Sequence, residues 1–598
     1  MITLTIDGQK VQVEPGTSVL EAARLHGIYI PTMCYMKELN EIGACRVCLV
    51  EVEGARTLQP SCVYPVAQGM VVHTHSPRVI KARKMVLELY LSNHPFECLT
   101  CVRNQRCELQ QLAERYHVRH LMVHGEMKRY PIDDQSPAMV REPSKCIVCR
   151  RCIRVCKDVQ EIGIYQIVER GFDAVASPAF KKSLAGTPCI FCGQCLQLCP
   201  TAAIHEKEDV ETVWKALSNP KKHVIIQTAP SIRGTLGEEF GMPIGSLVTG
   251  KMVAAIRRLG FNKVFDDCFG ADIVCIEEGA ELIHRLENNG PLPQFTSCCP
   301  GWLRFCLLFY PELIPHISSV KSPQQVFGAL VKNYYAQQDG IDPHDIFSVS
   351  VMPCVVKKWE RQRDIGTHDS GVQDVDVVLT TRELSQMIRT AGIDLNDMPE
   401  EDFDEPMGYA SGAGIVFGSG GGVAEGVLRT VYEKVTGKTL ENVEFKEIRT
   451  LEKIREAEID LGGRVIRCAT VRTTGEARKL IDRIKSGEAK YDFIEVMACP
   501  GGCVGGGGQP IFTGLDQWDQ QMKQRYKRAD ALFKQDRLKE HRKAHENPFI
   551  KKLYDEFLGS PGSEKSKQLV HTSYTEIPLY DIRGTATSMD GAEEEHSK

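Results

Sequence analysis

The spacing of the cysteines carries most of the chemistry in this sequence. The chain holds 24 cysteines among 598 residues, and 15 of them precede residue 200. A reducing cytosol disfavours disulfides, so thiolates in close clusters indicate zinc or iron–sulfur sites. The first third of the chain is therefore predicted to be a metal-rich module in its own right.

One cysteine run occurs twice with the same spacing. The segments CIVCRRCIRVC and CIFCGQCLQLCP both read C-x2-C-x2-C-x3-C, and the second ends in proline. This run is typical of bacterial two-cluster ferredoxins, in which the fourth cysteine ligates the other cluster. Zinc needs only four ligands per site and would not require the repeat. We expect two [4Fe–4S] clusters, one on Cys146, Cys149, Cys152 and Cys199 and the other on Cys189, Cys192, Cys195 and Cys156.

A different cysteine group lies nearer the N-terminus. Cys34, Cys45, Cys48 and Cys62 are spaced C-x10-C-x2-C-x13-C. A structural zinc ribbon is the alternative for such a set. The preceding hairpin-and-helix pattern resembles a plant-type ferredoxin of β-grasp fold, so a [2Fe–2S] cluster is predicted here.

A histidine accompanies the remaining front cysteines. HPFECLTCVRNQRCEL places His94 four residues before a C-x2-C pair. One His with three Cys also suits zinc, and a lone His is often an ordinary polar residue. The neighbouring ferredoxin-like runs favour a third accessory [4Fe–4S] cluster, on His94, Cys98, Cys101 and Cys107. Four clusters in a row would form an electron wire.

Four strand-to-loop junctions in the rest of the chain end in candidate ligands. Apolar β-branched runs alternate there with helix-like segments, which indicates α/β domains. Ligands gather at the carboxyl ends of strands in open α/β sheets, so one shared pocket is predicted. The runs lead into TAPS (228–231), TSCCPGW (296–302), MPC ending at Cys354 and MAC ending at Cys499. Four thiolates that would suffice for a cubane are Cys299, Cys354, Cys499 and Cys503.

The other cysteines and one glycine-rich segment have simpler interpretations. Cys298 adjoins a predicted ligand and must point elsewhere. GIVFGSGGGVAEG (414–426) follows an apolar run, as a dinucleotide loop does, but lacks the G-x-G-x-x-G order. Its glycines are expected to pack against a cofactor or another backbone. Small buried hydrophobes are the interpretation for Cys268, Cys275, Cys306 and Cys468.

Several folded units must position these residues. ITLTIDG and KVQVEPG predict a hairpin around Asp7 and Gly8, and SVLEAARLHG predicts a helix with Ser18 as its N-cap. The chain is far longer than one core allows, so a multidomain α+β and α/β protein is expected. The expected units are 1–78, 79–125 and 126–208 for the clusters, 209–545 for the α/β domain, 546–582 for a helical C-terminal segment and 583–598 for a disordered tail.

Composition and charge argue against two functional classes. The net charge is −5 and the pI is near 6.4, which gives no support to nucleic-acid binding. No apolar run reaches membrane-spanning length, and the N-terminus lacks a signal-peptide core. A cytoplasmic protein is expected.

Three segments together resemble the signature segments of the [FeFe]-hydrogenases. TSCCPGW, MPCVVKKWE and EVMACPGGCVGGGGQP occur in the family's order, and the resemblance covers essentially the whole chain. It implies an enzyme that interconverts H2 with protons and electrons at an H-cluster. That cofactor is a [4Fe–4S] cubane joined to a two-iron subsite with CO, cyanide and a dithiolate amine. The resemblance implies that Cys299, Cys354, Cys499 and Cys503 hold the cubane and that Cys503 is shared with the two-iron subsite.

The same resemblance implies roles for residues around the cofactor. Cys298 matches the family's proton-relay thiol, and Lys357 matches a cation that hydrogen-bonds cyanide. Each role has a simpler interpretation. The charges of Glu278, Glu281 and Arg285, at i, i+3 and i+7, would form a solvated helix face. Lys357 would lie at the surface beside Lys358, and the methionines would only fill space in the core. The rest of the implied relay is Glu278, Glu281, Ser318 and Arg285, and the implied pocket lining is Pro230, Ser231, Gln324, Met352 and Met497.

The electron partner is left open by the residues. The resemblance favours the catalytic subunit of an NAD(P)-linked hydrogenase complex, with electron bifurcation as one option. A stand-alone enzyme that uses ferredoxin is the first alternative, and a non-catalytic H2 sensor or a cluster-assembly protein is the second. Cys298 weighs against a sensor, and the three intact segments weigh against an assembly protein.

The resemblance also implies partner chains. Without a convincing flavin or nucleotide motif, a pyridine-nucleotide reaction needs a partner subunit that binds flavin and NAD(P). Dedicated maturation proteins would make the two-iron unit. NPFIKKLYDEFLGSPGSEKSKQLVHTSY resembles a fused small-subunit segment that would wrap around the catalytic domain as helices.

Overall fold

The computed structural model describes residues 1–123, 125–363, 372–450 and 452–579. The tail predicted at 583–598 lies outside the described residues. No helix in the described part is both long enough and apolar enough to cross a membrane.

The N-terminal unit is a five-stranded sheet with one helix packed on it. Asp7 and Gly8 both have positive φ, as a tight two-residue hairpin turn requires. The helix Val19–Leu25 begins after Ser18, whose side chain accepts a hydrogen bond from the Glu21 N–H. The predicted hairpin, helix and N-cap are therefore confirmed. The strands in spatial order are Gln9–Val13, Ile2–Ile6, Val71–His73, Leu49–Val52 and Gln59–Pro60.

The second part of the cysteine-rich region is built from short elements. The helix Pro77–Ser92 starts at the N-cap Ser76. Met139–Arg141 pairs antiparallel with Ile204–Glu206, which ties the two ends of the repeated cysteine runs together. The other short elements are the helices Cys98–Thr100, Glu108–Arg115, Arg151–Arg154, Val155–Val159 and Gln194–Leu198 and the strands Gln166–Val168 and Val175–Ser177.

Two four-stranded sheets form the α/β part, which confirms the predicted class. The first is wholly parallel, and only the outer pair of the second is antiparallel. Thr228 pairs with Val351, one residue before that strand ends, and Phe295 pairs with Ile494, three residues before that strand ends. The strands of each parallel pair therefore finish towards the same edge of their sheet. The strands in spatial order are Lys263–Asp266, His223–Thr228, Ile346–Met352 and Val377–Thr380 in the first sheet, and Gln294–Phe295, Phe493–Met497, Val465–Arg472 and Ile454–Asp460 in the second.

Helices surround these sheets and bury their apolar faces. Cys268–Glu287 is buried along most of its length and packs on Pro323–Leu330 and Gly422–Thr436. The cysteines interpreted as small buried hydrophobes, at 268, 275, 306 and 468, are at most 1% exposed. The other α-helices of this part are Val210–Leu217, Thr249–Arg258, Pro300–Phe309, Ala336–Asp339, Lys357–Glu360, Thr381–Thr390, Gly412–Val416, Thr474–Lys485 and Trp518–Leu538.

The C-terminal segment is helical, as predicted. Pro548–Leu553 continues into a π-helical turn, Tyr554–Leu558, and Glu564–Val570 follows. Beyond this helix, His571 forms a bridge with Val320. The segment thereby packs on the same core as Cys268–Glu287.

Candidate active site

The four predicted junctions converge on one cavity of about 60 Å³. Each loop leaves the carboxyl end of a strand, and the strands lie in adjacent pairs in the two sheets. The cavity is therefore framed by both sheets at once. Its lining includes Pro230, Ser231, Cys298, Cys299, Gln324, Met352, Cys354, Lys357, Met497, Cys499 and Cys503.

Four cysteine thiols from three distant segments meet in this cavity. Cys299 precedes the helix Pro300–Phe309, and its Sγ accepts a hydrogen bond from the Ala498 N–H at 3.4 Å. This contact joins the Cys299 loop to the segment that carries Cys499. Burial raises the pKa of Cys499 to about 12, so a free thiolate is disfavoured there. A metal cluster would supply the missing stabilisation, and four soft ligands in a dry cavity fit one.

Glycines let the Cys499–Cys503 loop lie against other backbones. Gly502 has φ +83°, and a Cβ on it would collide with the backbone nitrogen of Gly420. The Gly420 N–H donates to the Gly501 carbonyl at 3.2 Å, and Gly418 lines the cavity. The glycine-rich segment 414–426 thus packs against another backbone and the cavity, as predicted.

A side-chain network leads from the cavity to the protein exterior. Glu278 is fully buried, and one carboxylate oxygen accepts from the Ser297 N–H and Oγ–H, each at 3.0 Å. Burial raises the pKa of Glu278 from 4.5 to about 8. Ser318 Oγ donates to Glu281 at 2.8 Å, and Arg285 donates to Glu281 at 2.6 Å.

The alternative of a solvated helix face is wrong for these charged residues. Arg285 is 8% exposed and also donates to the Ile317 carbonyl at 2.9 Å. Cys298 is 8% exposed and lines the cavity. The structure therefore buries most of the predicted relay residues and joins Ser318, Glu281 and Arg285 by hydrogen bonds. A link between Cys298 and Glu278, and the role of all these residues in proton transfer, stay predictions.

Lys357 is held at the cavity wall by three polar groups. Its Nζ donates to Glu360 at 2.7 Å, to Ser322 Oγ at 2.8 Å and to the Cys298 carbonyl at 3.4 Å. Lys357 is 6% exposed and the adjacent Lys358 is fully buried, so the interpretation of Lys357 as a surface lysine is wrong. These bonds use all three ammonium protons, and the 3.4 Å bond to the Cys298 carbonyl is the longest, so its proton is the one that an anionic group in the cavity would take.

The remaining predicted pocket residues line the same cavity, and their contact with a cofactor stays a prediction. Ser231 Oγ accepts from the Gln509 side-chain amide at 3.2 Å. The Gln324 amide donates to Glu360 at 3.2 Å, on the same carboxylate that holds Lys357. Pro230, Met352 and Met497 complete the apolar wall.

Sequence reasoning missed one carboxyl group in the cavity wall. Asp267 follows the strand Lys263–Asp266, lines the cavity and is 2% exposed. Burial raises its pKa to about 7, and one of its oxygens makes no hydrogen bond. The DD pair at a strand's carboxyl end was the available signal. Glu360, which accepts from Lys357 Nζ at 2.7 Å, was missed as well, although it lies three residues after Lys357 in the MPCVVKKWE segment.

The repeated cysteine runs adopt the same backbone twice. In the first copy, Val148 and Arg150 lie two and four residues after the first cysteine, and both have positive φ. Phe191 and Gly193 occupy the same positions in the second copy and also have positive φ. Cys146, Cys149, Cys152 and Cys199 line one small cavity, in the predicted crossed set. In the other set, burial raises the pKa of Cys189, and the nearby Cys156 raises it further, so these two thiols lie close together.

The second cysteine run directly contacts the glycine-rich loop that follows Cys503. Cys192 lines the large cavity, and a Cβ on Gly193 would collide with Gly507. The Gln197 side-chain amide donates to the Gly506 carbonyl at 3.1 Å and to the Gln509 carbonyl at 2.8 Å. One predicted cluster therefore borders the cavity itself.

The two N-terminal groups differ in how closely the structure gathers them. Cys48 Sγ lies 3.3 Å from Cys62 Sγ, and the Cys34 N–H donates to Cys45 Sγ at 3.4 Å. All four are buried. His94 lines a cavity with Cys45 and Cys146, and burial lowers its pKa to about 4. Its ligation together with Cys98, Cys101 and Cys107 stays a prediction.

Comparisons with protein families match four parts of the chain. A family described as iron only hydrogenase large subunit, C-terminal domain, matches residues 222–507. The 2Fe-2S iron-sulfur cluster binding domain matches 1–77, and the NADH-ubiquinone oxidoreductase-G iron-sulfur binding region matches 83–121. The iron hydrogenase small subunit matches 522–576, so this match includes most of the helix Trp518–Leu538.

Individual proteins are similar over nearly the whole length. The NADP-reducing hydrogenase subunit HndD of Solidesulfovibrio fructosivorans is 47% identical, over 96% of this chain and 99% of its own length. Iron hydrogenase 1 of Clostridium pasteurianum is 38% identical, over 96% of this chain and 100% of its own. A solved [FeFe]-hydrogenase structure from Chlamydomonas reinhardtii has a TM-score of 0.55 and 40% identity, over 62% of this chain and 99% of that one.

Proposed function

Because this chain belongs to the iron-only, or [FeFe]-, hydrogenases, we propose that it is the catalytic subunit of an NAD(P)-linked hydrogenase complex. The enzyme interconverts H2 with protons and electrons. One observation carries the site assignment: four thiols from three segments line a single buried cavity with Cys298 and Lys357. The similarity to an NADP-reducing hydrogenase subunit over 99% of that subunit's length supports the choice of partner.

The cofactor proposed for the cavity is an H-cluster. Bound there, it supplies the heterolytic cleavage and formation of H2. Its ligands would be Cys299, Cys354, Cys499 and Cys503, of which Cys503 would also serve the two-iron subsite. The buried Lys357 ammonium would donate to an anionic cyanide, since charge-assisted hydrogen bonds are strong in a dry site. The groups proposed for the remaining wall contacts are Pro230, Ser231, Gln324, Met352 and Met497.

The chain's own residues would move the proton. Cys298, the thiol at the cavity wall, would exchange a proton with Glu278. Because its pKa is near 8, the Glu278 carboxyl can hold and release a proton at neutral pH. The Ser318 hydroxyl, which donates to Glu281 at 2.8 Å, would connect the two carboxyls. Arg285 would stabilise the ionised form of Glu281 through its 2.6 Å contact.

The front domains are proposed to deliver the electrons. The proposed layout is a β-grasp [2Fe–2S] domain at 1–78, a cluster domain with one histidine and three cysteine ligands at 79–125, a two-[4Fe–4S] domain at 126–208, the catalytic domain at 209–545 and the small-subunit-like segment at 546–582. The cluster on Cys189, Cys192 and Cys195 with Cys156 would be the last before the cavity, because Cys192 lines it. A partner subunit with flavin and NAD(P) sites, or ferredoxin, would take the electrons in the cytoplasm.

Two measurements test this proposal separately. Chain produced with the hydrogenase maturation proteins should show infrared bands of bound CO and cyanide and evolve H2 from a reduced dye. Loss of both would reject the cofactor assignment. Purification from the native source should recover flavin- and NAD(P)-binding subunits with the chain. Recovery of the chain alone, with full ferredoxin-coupled activity, would reject the complex and leave the hydrogenase intact.

A further inference from the structure

The C-terminal segment lies directly against the outer end of the relay. The Thr572 N–H donates to the Ser319 carbonyl at 2.7 Å, and the Lys321 N–H donates to the Val570 carbonyl at 2.8 Å. These bonds form a short antiparallel pairing that holds His571 beside Ser319. Ser319 adjoins Ser318, which donates to Glu281.

His571 connects this end of the relay to a second carboxylate. Its Nδ1 lies 2.8 Å from Ser319 Oγ, and its Nε2 lies 3.1 Å from Glu277 Oε2. Ser319 in turn contacts Glu281: its N–H donates at 3.0 Å, and its Oγ lies at 3.4 Å. The His571 side chain is 11% exposed, so the ring borders solvent. Glu281, Ser319, His571 and Glu277 therefore form one continuous row.

Glu277 orients the ring. It is 1% exposed, and it accepts hydrogen bonds from Tyr554 at 2.7 Å, from the Gly562 N–H at 2.9 Å and from Ser566. Burial acts to raise the pKa of Glu277, but the bonds from His571, Ser566 and Tyr554 outweigh it and lower that pKa. An ionised Glu277 can only accept, so Nε2 carries the proton and Nδ1 is left to accept from Ser319 Oγ–H.

We propose that Ser319, His571 and Glu277 exchange protons between Glu281 and water, as a branch of the relay that the C-terminal segment completes. A protonated Glu281 gives its proton to Ser319 Oγ while Ser319 gives its own to His571 Nδ1. Glu281 becomes a carboxylate and the ring an imidazolium, which Glu277 stabilises. The imidazolium then releases one proton to water. For H2 formation the same transfers run in reverse, and no electrons move in these steps.

The row resembles a Ser-His-acid triad, yet its surroundings do not suit a nucleophile. The Glu281 carboxylate lies only 3.4 Å from Ser319 Oγ. A carboxylate there would oppose the negative charge that acyl transfer develops. The Ser319 N–H donates to that same carboxylate and is not free for an oxyanion. Proton exchange is therefore the better use of this row.

His571 acts through Glu281 and is a positioning and proton-exchange residue, so its test needs more than a loss of activity. The inference rests on the proposed function, since it extends the relay of that site. Titratable groups near the ring come from the helix Cys268–Glu287 and from the C-terminal segment. They are Glu277, Glu281 and, beyond Glu281, Arg285, with Tyr554 on the far side of Glu277.

The experiment compares three maturated variants with the parent. His571→Ala removes the exchanging ring, and His571→Gln keeps a polar contact without a basic nitrogen. The control His545→Ala removes a different histidine, whose ring contacts Thr430 and Glu433 outside the relay. H2 evolution from a reduced dye is measured across pH with and without added imidazole. We expect His571→Ala and His571→Gln to lose turnover by about ten-fold. This loss is smaller than the roughly 10²–10⁴-fold typical of a sole proton carrier. The reason is that protons can still leave Glu281 on the side that faces Arg285.

The pattern of results separates exchange from mere packing. Imidazole should restore most of the turnover of His571→Ala, and His545→Ala should stay close to the parent. Turnover and pH profile of both His571 variants within two-fold of the parent would overturn the inference, as would an equal, unrescued loss in His545→Ala. In the cofactor-free chain, ¹⁵N-histidine spectra should show the Nε2–H tautomer, and an Nδ1–H tautomer would also overturn it. A parent without CO and cyanide bands would instead refute the proposed function.

Discussion

Replacing Glu278 by glutamine tests whether a buried, neutral carboxyl lies in the proton path. Glutamine keeps the shape of the side chain, and its oxygen can still accept from the Ser297 N–H and hydroxyl, which lie 3.0 Å from Glu278. It cannot release a proton. Turnover of the maturated Glu278→Gln enzyme should therefore fall by about 10²–10⁴-fold, whereas the CO and cyanide bands should persist.

The same substitution has a calculable effect on stability. The pKa of Glu278 is raised from 4.5 to about 8 by burial. A carboxyl group whose pKa is raised by folding makes its full contribution to stability at pH values below its pKa in the unfolded chain. That contribution is lost as the pH rises toward its pKa in the folded chain. Glutamine does not ionise, so the Glu278→Gln chain does not lose stability in this way as the pH rises. Its advantage over Glu278 should grow from about 1 kcal/mol at pH 5 to an upper limit of about 4 kcal/mol at pH 8.

The assay is chemical denaturation of the cofactor-free parent and Glu278→Gln chains at these two pH values. Several domains unfold, so the comparison uses the shift of the catalytic domain's transition and not a single global free energy. Glu281→Gln serves as the matched control, because Glu281 is partly exposed. An equal difference at both pH values would refute the claim that burial holds Glu278 neutral. Unchanged turnover would refute its place in the relay.

Three further predictions concern the cavity itself. Cys298→Ala should keep the infrared bands of the cofactor and lose nearly all turnover, and near-normal turnover would contradict its role as the relay thiol. Gly502→Ala, which puts a Cβ against Gly420 at φ +83°, should reduce iron retained at the cavity, and iron content equal to that of the parent would contradict the tight packing. Asp267→Asn should raise catalytic-domain stability at pH 8 more than at pH 5, because burial raises the pKa of Asp267 to about 7. A pH-independent effect would show that Asp267 is ionised in the folded chain.

Short motifs were the most predictable part of this protein. The hairpin turn at Asp7 and Gly8, the N-cap Ser18 and the paired C-x2-C-x2-C-x3-C runs depend on neighbours only a few residues away. Backbone sterics and side-chain capping act over that range. The shared pocket could be predicted because strand ends in α/β sheets meet at one edge, whatever the detailed packing.

Charge states and distant pairings could not be predicted in this way. Lys358 follows a cavity lysine and looked exposed, but folding brings Asp209 to 2.6 Å and Glu383 to 2.9 Å from its ammonium and buries it. Asp267 carried a positional signal that was overlooked, and its raised pKa arises only from burial.

The linear sequence by itself determined which residues can ligate metal, because thiol chemistry and local spacing are covalent properties of the chain. The tertiary structure decided which of them meet and in which protonation state. Glu277 and His571 are 294 positions apart, yet they share a hydrogen bond of 3.1 Å. Burial and the partners that compensate it are properties of the packed core, and only the fold assembles that core from such distant segments.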